Sequence, residues 1–269
     1  MILSSVAAPT LYASLAAAVV YALPVLAAAR LSHQAIRRAL MLAWLLHGLA
    51  LGMGLMGEPA LFGFAPALSA TVWLVLTVYG IETIRIPELR VLGGLAGLGA
   101  AAVMVALAFP GTPVSTTGSP WLPLHWALGI ASYGMFATAL VHAWLMNRAE
   151  QQMRQTQPGA DNPGVPLLTL ERLTFRFVQA GFVLLSATLL AGHLFGEALY
   201  GSKGAWKWDH KTVFSLLSWL TFAALLLGRR RFGWRGRTAV RVLYSGSALL
   251  LLAYAGSRFV LEVVLGRTP

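Results

Sequence analysis

Eight stretches of the chain are apolar over lengths that match a lipid bilayer: residues 8–29, 39–56, 67–84, 91–109, 125–146, 175–196, 212–228 and 242–259. A hydrocarbon core about 30 Å thick takes roughly 20 apolar residues in a helix. Helices also satisfy their own backbone hydrogen bonds where water is absent. The pattern predicts an all-α, polytopic membrane bundle of about eight transmembrane helices, one integral membrane domain over residues 1–269. The longest polar break, residues 149–170, carries Pro158, Gly159, Pro163 and Gly164. It reads as a linker between halves of five and three helices. No repeat of regular period is visible. Gly48 with Gly52, and Gly93 with Gly97, form small-xxx-small pairs that let helix backbones approach.

Charge orients this pattern. Fifteen of the 20 basic residues fall in or beside alternate loops: Arg30, Arg37 and Arg38; Arg85 and Arg90; Arg148, Arg154, Arg172 and Arg176; and six between Arg229 and Arg241. The positive-inside rule makes that side cytoplasmic, which predicts both termini outside in a bacterial inner (plasma) membrane. The first apolar run is preceded by no positive charge and is long for a signal-peptide core, so it is expected to stay as a span. The net charge of +11 is spread over short loops where topology demands it, and no nucleic-acid partner is expected. The partner expected from this pattern is membrane lipid.

Composition closes other routes. With 58% hydrophobic against 11% charged residues and a mean hydropathy of +0.71, the chain is not a soluble globule. It has no cysteine, which excludes disulfides, thiolate metal sites and thiol nucleophiles. Six histidines carry the remaining chemistry. His47 lies halfway along the second span, where an ionisable group faces a partner or a cavity; ligand and hydrogen-bonded packing residue are equal readings. His125 opens the fifth span, near Trp121 and Trp126. His193 lies about a turn from the outer end of the sixth. His142, roughly 25 Å along the fifth helix from His125, reads as structural. His33 reads as a surface residue.

The loop between the sixth and seventh spans is the least ordinary segment. It holds all three lysines, Lys203, Lys207 and Lys211, with Trp206, Trp208, Asp209 and His210 among them. If helical, the spacing of four puts the ammonium groups on one face. Such a surface suits a flat aromatic ligand with anionic edges. It equally suits an interfacial helix whose Trp and Lys sit among lipid headgroups.

Trp206, Trp208, Asp209 and Lys211 resemble the end of the Trp-Asp motif, W-x-W-D-P-K-E, of the cytochrome c assembly proteins of the CcsA, CcmC and CcmF group. Trp219, the run Gly233-Trp234-Arg235-Gly236, His125 with Ser132-Tyr133, and Leu46-His47-Gly48 resemble further landmarks of that family. The eight-helix HemX and YpjD branch is the most similar. Departures point the same way: His210 stands for the motif's proline and Thr212 for its glutamate. Tyr200-Gly201 stands where its first tryptophan is expected. Leu227-Gly228 and Ser257-Arg258-Phe259 stand where a second intramembrane and a second outer histidine are expected.

The resemblance implies a haem-binding or haem-handling protein that presents haem b at the outer face. His125, His47 and His193 are then candidate metal ligands, with His210 as a further imidazole. Trp206 and Trp208 would stack on the macrocycle, Lys203, Lys207 and Lys211 would meet its propionates, and Asp209 would orient the loop. His125 paired with His193 or His210, His47 paired with His193, and His125 alone all stay open. Ligation rather than bond-making is the implied chemistry, so no autonomous catalysis is expected. The other reading keeps the fold without the cofactor, as an accessory or regulatory subunit of a transporter or of haem synthesis. Solute transport ranks last, because the break at Pro24 has no match in another half.

Overall fold

The structure, a computed structural model, describes residues 7–27, 30–57, 60–85, 92–114, 121–155, 165–195 and 208–265. Each predicted span overlaps a helix of its own, with edges that differ by a few residues: α1 (Ala8–Leu26), α2 (His33–Met56), α3 (Phe64–Arg85), α4 (Leu92–Ala108), α5 (Trp121–Gln155), α6 (Leu167–Leu194), α7 (His210–Phe232) and α8 (Gly236–Leu251). α8 runs on through π turns at Leu252–Gly256 and Val260–Val264, either side of Ser257–Phe259. Seven of the helices, counting the α8 run as one, are long and apolar enough to cross a membrane. α4 is apolar but has only 17 residues, about 26 Å of rise. A short ladder, β1 (Ala60–Phe62) against β2 (Thr112–Val114), is antiparallel with Leu61 opposite Pro113.

Two sequence expectations change. The polar break at 149–170 is partly helix, since α5 continues to Gln155 and α6 starts at Leu167. Glu150 and Arg154, 2.6 Å apart one turn along α5, support that extension, and no glycine or proline interrupts it before Pro158. Nor does the chain divide as five helices and three. One compact unit comprises Met1–Gly80, Arg90–Gly118 and Arg258–Pro269, the other Ile81–Leu89 and Ser119–Ser257. α5 therefore belongs with α6, α7 and α8.

In the first unit α1 packs on α2 and α4 through small residues, with Ala17, Tyr21, Ala43, Ala96 and Val103 at the centre. Trp44 and Trp73 stack at 5.1 Å, and Trp73 Nε1 donates to the Trp44 carbonyl. Gly48 makes room for that indole: a Cβ there would sit 3.0 Å from it. Gly52 has nothing within 4 Å of a Cβ, so only one member of that small-xxx-small pair is a packing site.

The second unit is built twice from one pattern. Phe136 of α5 and Phe222 of α7 stack face to face at 3.7 Å. Behind them lie Gly181 of α6 and Gly246 of α8, where a Cβ would come within 3.0 and 2.8 Å of the respective rings. One turn before each phenylalanine, Ser132 donates to the Gly181 carbonyl and Ser218 to that of Gly246. The buried positions of α7 (Ser218, Phe222, Leu225, Gly228) follow those of α5 (Ser132, Phe136, Ala139, His142) by 86 residues. Those of α8 (Ala239, Val240, Leu243, Gly246, Leu250) follow α6 (Thr174, Phe175, Val178, Gly181, Leu185) by 65. Bonds across the pairs match too. Tyr133 of α5 donates to Leu250 O on α8, and Trp219 of α7 donates to Ser186 Oγ on α6. The α5–α6 hairpin thus recurs as α7–α8, a repeat with no single period.

Because Gly246 is closed by Phe222, Gly246→Ala is expected to lower stability by about 1–3 kcal/mol through overpacking. Gly52→Ala should change it little. Thermal unfolding of both variants in detergent checks this, and equal midpoints would contradict it.

Candidate functional site at the start of α5 and α7

Asp209 sets where α7 begins. Its backbone is extended (φ −87°, ψ 169°) and its carboxylate accepts the Thr212 N–H at 2.8 Å, an N-cap. Trp208 and Asp209 therefore precede the helix, and one helical lysine face does not run through them to Lys211. Lys203, Trp206 and Lys207 lie outside the described residues. Trp208 is 73% exposed, and His210 is exposed. Lys211 is half-buried and holds Nζ 5.6 Å from the centre of the Tyr254 ring, a cation–π distance. Tyr254 lies in the first π turn beyond α8, a distortion that recurs at functional sites.

His125 stands one turn into α5 and is half-buried. Its ring lies against Gly192 of α6, where a Cβ would come 3.4 Å from Cε1. The Thr188 backbone and the Lys211 charge both act on it electrostatically. His193 follows Gly192 and is exposed. Trp121 and Phe195 stack at 4.6 Å beside them. Of the sequence-derived candidates, His125, Lys211 and the Gly192–His193 turn are brought to one end of the second unit.

His47 is placed differently. It is buried in the first unit, with Nε2 2.8 Å from Ser69 Oγ and Nδ1 3.4 Å from Tyr21 Oη. The Tyr21 ring meets it edge-on. Both ring nitrogens face hydroxyl groups, so iron ligation would require one of them to be displaced.

Residues 8–265 match the cytochrome c assembly protein family. The chain belongs to that family. It is 30% identical over 146 residues to the inner membrane protein YpjD of Escherichia coli, covering 54% of each chain. It is 32% identical over 212 residues to an uncharacterized 28.8 kDa protein of Azospirillum brasilense, covering 77% of this chain and 71% of that one. It is 29% identical over 162 residues to the cytochrome c biogenesis protein CcsA of Prochlorococcus marinus, covering 53% and 51%. The chain spans about half the length of the YpjD and CcsA relatives. No solved structure matches it.

Haem is the group this assembly family implies, and the end carrying His125 fits it in donor chemistry. Its imidazole stands beside the Thr188 backbone, and metal-ligating histidines generally have a backbone or carboxylate group near the second ring nitrogen. A cation and stacked aromatic rings stand beside it, suited to carboxylates and to a flat ring. The surroundings of His47 fit iron less well, because its donors are engaged. Two contributors escaped sequence reasoning: the Thr188 carbonyl, which carries no side-chain signal, and Tyr254, an aromatic in an apolar run.

Glu82 was also missed, although an acid inside an apolar span is itself a signal. It is buried in the second unit with His142 Nε2 2.9 Å from its Oε2. The contact has the distance of an ion pair and is not a hydrogen bond. His142 Nδ1 lies 2.9 Å from the Thr138 carbonyl, which only accepts, so Nδ1 is the donor there. The His142 ring stacks on Phe177. The structural reading of His142 fits this arrangement. Removing one partner of a buried pair leaves the other uncompensated, so Glu82→Ala is expected to cost about 3–5 kcal/mol. A double-mutant cycle with His142→Ala, followed by unfolding in detergent, measures the coupling; additive losses would contradict the pair.

Proposed function

We propose that this chain is a haem-handling protein of the bacterial inner membrane, acting in cytochrome c assembly. In this reading it holds haem b at the outer face, where α5 and α7 begin. The single observation that supports this most is that His125, beside the Thr188 backbone, and Lys211 stand at one end of the second unit. Family membership and the CcsA and YpjD relatives point to the same cofactor and membrane. The arginine-rich loops define the opposite, cytoplasmic side.

Each residue then has a physical task. His125 supplies a nitrogen donor to the iron. Trp208, exposed beside the α7 cap, offers an indole face to the macrocycle. In this reading Trp206 would add a further indole, and Lys203 and Lys207 would supply cations for the propionates. Asp209 holds the loop's exit by capping α7. His193, next to Gly192 in the chain, is a further imidazole. Haem supplies the iron and the redox couple; the chain supplies ligation, orientation and a lipid-shielded wall. His47 serves the first unit as a packing residue.

Absorbance spectra of the protein purified in mild detergent from haem-replete cells test this. The expected result is a Soret band near one haem per chain, with His125→Ala lowering retained haem at least tenfold. Stoichiometric protein with no Soret band, even after added hemin, would overturn the reading and favour an accessory subunit without cofactor. As a second expectation, Asp209→Ala should cost about 1 kcal/mol of stability and loosen haem retention. Loss of stability with unchanged retention would restrict Asp209 to the helix cap.

A further inference from the structure

Few residues are identical in the two copies of the hairpin, and packing accounts for most of them. The serine, phenylalanine and glycine of each copy build the ring stack and its hydrogen bonds. One identity has no such role. Arg172 and Arg176 of α6 recur, 65 residues on, as Arg237 and Arg241 of α8. All four are exposed. Among the described residues no carboxylate pairs with any of them, whereas Glu171 holds Arg229 at 2.7 Å and Arg235 at 3.7 Å.

Within each pair the spacing of four sets both arginines on one helix face, a turn apart. The buried face lies opposite, at Thr174, Val178 and Gly181 in α6 and at Ala239, Leu243 and Gly246 in α8. Depth matters as much as direction. Arg176 and Arg241 precede the glycines of the ring stack by five residues, about 8 Å, and Arg172 and Arg237 precede them by nine, about 14 Å. Gly181 falls in the middle of the 28-residue α6, and hydrocarbon reaches about 15 Å to either side of a bilayer midplane. Arg176 and Arg241 thus stand at hydrocarbon depth on an exposed surface, where an uncompensated guanidinium is strongly disfavoured. Their stems allow them to reach up to the headgroups. A phosphate held against both arginines of a pair compensates them through charge-assisted, bidentate contacts. Further along the same faces the exposed surface is apolar, with Val183 on α6 and Leu252 beyond α8, which suits acyl chains.

We propose that each copy of the hairpin holds one anionic phospholipid by its phosphate, at Arg172 with Arg176 and at Arg237 with Arg241. These are two equivalent lipid sites on the arginine-rich side of the second unit, and haem takes no part in them. Topology alone requires arginines near the ends of the spans on that side. It does not require two pairs at the same two positions relative to Gly181 and Gly246.

The test uses the full chain in detergent, with native mass spectrometry counting bound phosphatidylglycerol and with zwitterionic phosphatidylcholine as the comparison. Two phosphatidylglycerol molecules per chain are expected, with phosphatidylcholine held at least tenfold more weakly. Arg172→Gln with Arg176→Gln should weaken one site at least tenfold, and Arg237→Gln with Arg241→Gln the other. Arg37→Gln with Arg38→Gln, an exposed pair on the same side, should keep both lipids. An equal loss in that last variant would reduce the effect to net charge and overturn the two sites. Phosphatidylcholine held as tightly as phosphatidylglycerol would do the same. Thermal unfolding with inorganic phosphate in place of lipid separates the sources: stabilisation equal to that by phosphatidylglycerol would overturn the lipid assignment in favour of a free anion. Should the variants fail to stay monodisperse, the lipid selectivity of the wild type decides alone.

Discussion

Two phenylalanine rings pressed between two glycine backbones set the geometry of the second unit. Phe136 and Phe222 leave no space for a side chain at Gly181 or Gly246, so the backbones of α6 and α8 close directly on the rings. Lipid offers no hydrophobic gain for bringing helices together; close packing and hydrogen bonds must do it. Ser132 and Ser218 supply those bonds at the same glycines. The stack therefore fixes the relative height of α5 and α7, and with it the level at which His125 and Lys211 stand.

Elsewhere among the described residues, several intramembrane polar groups meet partners within their own unit. Tyr21, His47 and Ser69 form one chain of contacts; Trp44, Trp73 and Thr77 form another. Glu82 and His142 make a third. An unpaired polar group in lipid costs several kcal/mol, which accounts for this pairing without invoking a ligand. His125 differs because the Lys211 charge and the Thr188 backbone both act on its ring. That contrast separates a binding residue from packing residues of the same type.

The helices were readable because length and hydrophobicity leave few alternatives in a bilayer: each apolar run has a helix over most of its length. His142 was readable as structural from its depth and its distance from His125. The hairpin repeat was not, since its offsets of 86 and 65 residues differ and only Ser-aromatic-x-x-Phe-Ala and Arg-x-x-x-Arg-x-x-x-x-Gly survive in both copies. Burial register reveals what identity hides. The lysine face was misjudged at Asp209, because spacing alone does not show that a carboxylate will cap the next helix. At His47 the sequence supplied two readings, and hydroxyl groups 22 and 26 residues away support the packing one.

A density map of the full chain, purified from haem-replete cells and imaged by cryo-electron microscopy in a lipid nanodisc, tests the central claim most directly. The account predicts a flat macrocycle against the ends of α5 and α7, with its metal within bonding distance of His125. A macrocycle seated at His47, or well-resolved α5 and α7 ends with no such density at saturating hemin, would contradict it.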